Sequence, residues 1–588
     1  MTGVFLSHDV IPKVVVTLTA AAALLFLLPQ WSGGLTRLWN CPRGRWFLAL
    51  AGAQAVSLCA STIFSGQPAL SFAGTVWRRF GAAEQIAVLA IAVAAACVAA
   101  ANAAWVASLF RAVSVAGGIG AVYGIAQYFG IDPFLDPALY TIQAFGGIVR
   151  PPATMGHAIY FAAWLTPVAL LGASAALADE KFVRRGQVGN LPHGVRETNT
   201  TWRRIHGAVA LLACTAILLS GTRGAVLAVV AGGILLAVRG GKSLRGFGVA
   251  AGCFAVLVTL FAMLPAGENL RHRLYQWRQD LGGPRMLLWR ESPALMVSHP
   301  LFGIGPETFA VEFRKIESAE MSRAYPEFYH ETPHDALLDA ATAQGIPGFL
   351  ILAAVFILGI SSKQPGIQAA LLGIFVSSAF ASLTIVEAIF LWTLTGIGAA
   401  PAALPAAPRR VVLSRVPQWA QVATTVTGAL LTATALLLAV PDAAGQRVFD
   451  AVADKNFAEA EEAYRTAVSW SFGLPGYELF LSRQMATLGR ALGNTPDGAK
   501  AWSAATEAAA LAERSGEERF SAVYQSAVLA IVAGDLTRAE RKAREAVDLA
   551  PNWYKPHLLL GQILAAMGKA DEGAAEQRIS LNLGPQAK

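Results

Sequence analysis

Charge is what this chain has least of. Asp, Glu, Lys and Arg make up 14% of its 588 residues, against 55% hydrophobic ones. A soluble protein of this length needs more polar surface, so the balance excludes an ordinary soluble globule and points to a membrane protein. Cysteine is scarce as well. Cys41, Cys59, Cys97, Cys214 and Cys253 lie in or near apolar runs. That excludes a disulfide framework, and no spacing suggests a metal site. A secretory leader pattern is lacking too: Asp9 and Lys13 precede the first apolar run, and no small-residue cleavage site follows it.

What is abundant is apolar sequence. Runs near 14–28, 46–64, 84–101, 105–128, 156–178, 206–221, 224–238, 247–264, 336–360, 366–381, 383–400 and 420–440 are candidate spans. With roughly 20 residues needed per span, about twelve transmembrane helices are expected. The formal charge of +8 does not point to nucleic acid, because the basic residues gather in short connectors. Arg37, Arg43 and Arg45 form one group, and Lys181, Arg184, Arg185, Arg196, Arg203 and Arg204 a second. Arg239, Lys242 and Arg245 form a third, and Arg409, Arg410 and Arg415 a fourth. These fall on alternate connectors, so the positive-inside rule puts all four in the cytoplasm. The other face then carries the 65–83 and 129–155 connectors, the Ser220–Gly224 turn, a long loop over 265–333 and everything after 441. The N-terminus also falls outside, so either the first helix enters from outside or an upstream helix precedes this chain.

Hydrophobicity drops after Val440, dividing a membrane domain (1–440) from a helical domain (441–588). In the second, Pro551 and Pro585 are 34 residues apart, as are Ala527 and Gly561. Ala527, Ala539, Ala546 and Pro551 stand where tetratricopeptide repeats place small residues and the closing proline, so this part resembles such repeats. A weaker unit occupies 449–470, and 476–515 reads as less regular helix. The resemblance implies a protein-docking surface; a helical-hairpin array that caps the membrane domain is the other reading. On either, the repeats are not catalytic. The 179–205 stretch reads as a solvated cytoplasmic loop and 401–408 as a proline-broken linker.

His330-Glu-Thr-Pro-His334 matches H-E-x-x-H literally. That zinc motif needs both histidines on one continuous helix, and Pro333 interrupts it. A loop ending at Thr332 and a helix from near Pro333 is the better reading. Gly240-Gly-Lys-Ser243 fails as a phosphate loop because Leu236 stands where the first glycine belongs. Gly120 and Gly124 read as helix-packing residues. The outer face holds the more informative residues: Arg78 and Arg79 after Trp77, Arg150, and Arg223 in a tight turn between apolar helices. Arg223 is costly near lipid unless it faces a polar cavity or snorkels to the interface. The long loop adds Arg271, Arg273, Arg278, Arg285 and Arg290, interleaved with Trp277 and Trp289. Clustered guanidinium groups suit a phosphate or diphosphate, and aromatic faces suit sugar rings.

In order, these segments resemble the O-antigen ligase and polymerase superfamily over roughly residues 60–400. Arg150-Pro-Pro-Ala-Thr-Met-Gly-His157 is similar to its R-x-x-x-T-x-G-N-x-N segment. Ser220-Gly-Thr-Arg-Gly-Ala225 is similar to its S-x-S-R-G turn. Arg285-Met-Leu-Leu-Trp289 and His299-Pro-Leu-Phe-Gly-Ile-Gly-Pro306 resemble its long-loop motifs. Pro333-His334-Asp335 with Gln344-Gly-Ile-Pro-Gly348 resembles its H-N … G-x-x-G helix. The resemblance implies an all-α, GT-C-like fold with an outward cavity under the long loop. It also implies cofactor-free, metal-independent transfer of a glycan from undecaprenyl diphosphate to a glycolipid, a glycan or a protein hydroxyl. By resemblance His334 is the base and Arg223 and Arg285 stabilise the leaving diphosphate. Arg78, Arg79, Arg150, His157, Trp289 and Asp335 are expected around the donor. Asp335 and His157 both stand where asparagine is common, and the Asp335 carboxylate is expected to orient the His334 imidazole or raise its pKa.

Two other classes compete. A lipid-linked glycan transporter would line a path through the bilayer with ionisable residues, of which Glu387 is the clearest. A membrane scaffold would act through its repeats, with a protein partner there.

Overall fold

The computed structural model describes residues 4–142, 148–177, 199–239, 282–401 and 416–585, with part of 252–275. It is helical almost throughout. Among the described residues the sole strand pairing is a two-residue antiparallel ladder, Thr141–Ile142 with Ile148–Val149. Every expected apolar run falls on a helix except 247–264, much of which lies outside the described residues. Among the described residues, seven helices are long and apolar enough to cross a membrane: Pro42–Ile63, Ala82–Ala101, Ala104–Tyr128, Ala158–Leu177, Thr200–Leu219, Ala336–Ile360 and Gln418–Ala453. Ile11–Phe26, Pro365–Ser378 and Ile385–Ala399 are apolar but shorter.

Small residues let these helices pack closely. A Cβ on Gly120 would lie 2.5 Å from the Trp164 ring, and one on Gly124 would lie 2.3 Å from the Phe161 ring. Both glycines are therefore packing residues, as expected. Outward-facing Val56, Ile119, Leu211 and Ile357 stay exposed, which suits an apolar surround rather than water.

Two helix starts correct the sequence reading. The helix after the H-E-x-x-H segment begins at Ala336, with Asp335 as N-cap, instead of near Pro333. The aspartate carboxylate accepts from the Leu338 amide at 2.8 Å, a stronger start signal than the proline. Glu387 lies in the first turn of Ile385–Ala399, where it and Thr384 form a reciprocal capping box. It is a helix-end carboxylate rather than one in the middle of a span.

The long loop folds on itself. Helices Arg285–Glu291, Pro293–Ser298, Phe309–Ile316 and Ala319–Ala324 surround a small core of Leu288, Phe309, Phe313 and Met321. Beyond the bundle, Gln418–Ala453 runs unbroken through Val440 into helices from Phe457–Ser471 to Ala570–Leu583. Ala527, Ala539 and Ala546 are fully buried between them. A Cβ on Gly561 would come within 2.9 Å of the Gly573 carbonyl, so neighbouring helices there touch backbone to backbone.

Candidate active site

The turn after Thr200–Leu219 sets the first arginine. Gly221 takes a positive φ of 66°, and the Thr222 hydroxyl donates to the Ala158 carbonyl at 3.3 Å. Arg223 then opens the helix Arg223–Arg239. Gly224 packs against Phe380, whose Cβ would lie 3.3 Å from a Cβ there. From the long loop, Arg285 donates from Nε to the Phe380 carbonyl at 3.1 Å. The Trp289 ring lies 6.3 Å from that of Phe380. Phe380 is thus a hub joining the Arg223 turn to Arg285 and Trp289, and it contributes backbone as well as ring. Nothing in its sequence surroundings marks it.

His334 joins this group through the peptide before it. Trp289 Nε1 donates to the Pro333 carbonyl at 3.1 Å, and the His334 amide donates to Thr332 Oγ1 at 3.3 Å. The backbone of His334 has a φ of 54°, unusual for a residue with a Cβ. Burial, then the positive charges of Arg285 and Arg78, pushes its imidazole down to about 4. This corrects the expectation that Asp335 raises it. The Asp335 carboxylate faces the helix amides, where it caps instead of orienting the ring. His330 is buried, with its ring edge-on to Phe313 and Tyr325. The two histidines are not one turn apart on a helix, so the zinc geometry is not formed. Among the described residues no three His, Cys, Asp or Glu side chains could hold a metal ion together.

Arg78 and Arg79 take different parts. Arg78 is nearly buried and paired with Glu307 (Nε to Oε1 2.6 Å) and Asp339 (Nη1 to Oδ2 3.0 Å). Burial opposes its charge, but Asp339 and Glu307 more than offset this and hold its pKa above the ordinary value. Glu307 also accepts from the amide and hydroxyl of Thr75. This ion cluster lines a cavity of about 50 Å³ together with Gln54, Gln344 and Trp392, room for a few waters. Asp339 had a sequence signal, since a carboxylate inside an apolar run is costly without a partner; Glu307 had none. Arg79 is 1% exposed and donates to the carbonyls of Gly74 and Pro475, at 3.0 and 2.9 Å. It latches the C-terminal helices to the bundle, which corrects its expected place beside the donor.

The remaining residues lie at the same end of the bundle. The Arg150 amide donates to Tyr140 at 3.0 Å. His157 is exposed, and its Nδ1 accepts from the Ile159 amide at 3.1 Å, starting the Ala158–Leu177 helix. Arg290 pairs with Glu291 and Glu320, and Arg271 donates to backbone carbonyls of Ala262 and Leu264. Arg273, Trp277 and Arg278 lie outside the described residues, as do the basic groups at 181–196, 242–245 and 409–415.

Sequence reasoning missed the contacts between the long loop and the C-terminal helices. Arg314 pairs with Glu317 at 2.6 Å, donates to the Phe328 carbonyl at 2.7 Å and lies over the Phe520 ring. Tyr329 donates to the Glu517 carbonyl at 3.3 Å, and its ring packs 5.8 Å from that of Phe520. The strand of chain leading to His334 is therefore clamped between the long loop and the C-terminal helices.

Fold and site together define a multi-pass helical membrane protein with a cation-rich histidine site at one end of the bundle. Residues 208–353 match the family model described as O-antigen ligase. That stretch contains Arg223, Arg285, Trp289, His334 and Asp335 and points to a membrane glycosyltransferase of the O-antigen ligase or polymerase kind. No curated protein matches the chain.

Proposed function

We propose that this protein transfers a glycan from an undecaprenyl-diphosphate donor to an acceptor hydroxyl at the extracytoplasmic face of the bacterial inner membrane. The observation that carries this reading is the shared frame of Arg285, Trp289 and His334 within the O-antigen ligase match. In the reaction the acceptor oxygen bonds to the anomeric carbon as the bond from that carbon to the diphosphate oxygen breaks. The acceptor proton passes to neutral His334. Arg285 and Arg223 take up the charge left on the diphosphate. The field of Arg285, which contributes to the low proton affinity of His334, is partly neutralised by a bound diphosphate. The imidazole then becomes a better base once the donor is in place. The C-terminal helices, read as tetratricopeptide-like and extracytoplasmic, support the long loop over this site.

The test is a labelled lipid-diphosphate glycan given to the purified protein with three acceptors: lipid A-core, a second lipid-linked repeat, and a secreted protein. The labelled product distinguishes ligase, polymerase and protein transferase. His334→Ala and Arg223→Ala should each abolish transfer while inserting normally. Transfer by both at the unmodified rate would overturn the assignment.

A further inference from the structure

We propose that the loop joining Phe457–Ser471 to Glu478–Leu492 inserts into the lipid interface, so that Trp470 and Phe472 anchor the C-terminal helices to the bilayer. Three observations converge on it. The first is exposure: Phe472 is 75% and Trp470 41% exposed, in a turn where Phe472 adopts a positive φ of 45°. A large aromatic ring held outward with water on every side would leave most of its apolar surface hydrated.

The second is height. The helix Gln418–Ala453 leaves the apolar zone near Val440, and Phe457–Ser471 returns alongside it after a short turn at 454–456. Ala467, Val468 and Ser471 line a common crevice with Pro441. The foot of this hairpin is therefore level with the end of the apolar run. Below that level the same long helix exposes Val426, Leu430 and Leu436, side chains that suit acyl chains. Indole and phenyl groups at this height sit where membrane proteins concentrate aromatic residues.

The third is how the loop is held. Leu474 packs against the core of the membrane bundle, and the Pro475 carbonyl accepts from buried Arg79. Two residues on, Tyr477 shares Asp442 with the Ser7 amide through hydrogen bonds. One side of the loop is thus fixed to the bundle, and Trp470 and Phe472 extend from that established interface. The occupant that continues an apolar bundle surface at this level is the outer lipid leaflet.

The experiment labels Phe472→Cys with an environment-sensitive nitrobenzoxadiazole dye, in a chain whose native cysteines are replaced by serine. The comparison is Lys455→Cys at the top of the hairpin, about 21 Å higher at 1.5 Å per helical residue. Both are placed in nanodiscs of phosphatidylethanolamine and phosphatidylglycerol. Dye at 472 should be quenched severalfold more by a shallow nitroxide lipid than dye at 455, and be protected from aqueous iodide. Equal iodide quenching at both positions would overturn the anchor. A second measurement uses the native cysteines: brominated lipid should quench a tryptophan component that Trp470→Phe removes. An unchanged quenched fraction in that variant would count equally against it.

Discussion

The indole of Trp289 and the carbonyl of Pro333 form a 3.1 Å hydrogen bond across 44 residues of sequence. The peptide they share with His334 is held at both ends, because its N–H donates to Thr332 Oγ1. A residue at φ 54° keeps that conformation only where its surroundings over-determine it. Trp289→Phe keeps a ring beside Phe380 but removes the donor. One lost hydrogen bond to a partly buried carbonyl is worth about 1 kcal/mol, so kcat should fall about fivefold to tenfold. KM for the donor and membrane insertion should stay near the unmodified values. A rise in KM with unchanged kcat would mean that Trp289 binds sugar instead of setting the histidine.

The pH dependence follows from His334. Its imidazole is held down to about 4 by burial and by Arg285 and Arg78, against about 6.5 in an unfolded chain. The unfolded state therefore binds more protons between these values, and native stability falls as pH drops through that window. For the reaction, the base is already free above about pH 5. The kcat/KM profile, which reports the free enzyme, should be flat from there to neutrality on its acid side. The kcat profile should show a higher apparent pKa, because bound diphosphate offsets the arginine field. Equal acid-side pKa values in the two profiles would argue against a diphosphate next to Arg285.

Arg78 is committed to two carboxylates. Removing it leaves Glu307 and Asp339 facing each other in a nearly buried site. Breaking such a cluster from one side costs about 3 kcal/mol or more. Arg78→Ala should therefore lower the thermal midpoint in detergent even without substrate, and Asp339→Asn should lower it less. A variant with unchanged midpoint but a raised donor KM would return Arg78 to the diphosphate.

The glycines of two loop motifs show what could be read in advance. Gly345 has a φ of 68°, and a Cβ on it would lie 2.5 Å from the Pro300 carbonyl. On Gly303 a Cβ would lie 2.4 Å from the Ala343 carbonyl. The amides of Ile304, Gly305 and Ile346 donate across the same seam, to Thr342, Ala343 and Pro300. The His299–Pro306 and Gln344–Gly348 motifs are thus the two faces of one backbone contact. Their glycines were visible in sequence, but their meeting was not, because it depends on how the long loop folds back. Apolar runs located the membrane helices, because their signal is local. Phe380, Glu307 and Glu517 escaped because each acts through a partner more than 70 residues away. Gly345→Ala should destabilise the fold by more than about 1 kcal/mol, read as a lower midpoint and increased proteolysis of the loop.

Glu517 ties the C-terminal helices to the bundle, and its protonation should govern how firmly. Its Oε1 accepts from the Val76 amide at 2.8 Å while Oε2 is buried without a hydrogen-bond partner. Burial is the largest influence, and it raises the carboxyl to about 8 despite the opposing charge of Arg79 and the Val76 amide. For an acid raised on folding, the native state binds more protons between about 4.5 and 8, so stability is lost as pH rises through that window. The docked arrangement should therefore loosen progressively as pH rises from about 4.5 to about 8, and change little above that. Because Tyr329 donates to the Glu517 carbonyl and packs on Phe520, loosening reaches the chain that carries His334. Limited proteolysis near Arg323 should accelerate over this range in the unmodified protein. Glu517→Gln, which keeps an acceptor for Val76 without the charge, should remove the pH dependence. Phe520→Ala should instead expose the loop at every pH and lower kcat without changing insertion. Identical pH curves for Glu517→Gln and the unmodified protein would place the control in another group.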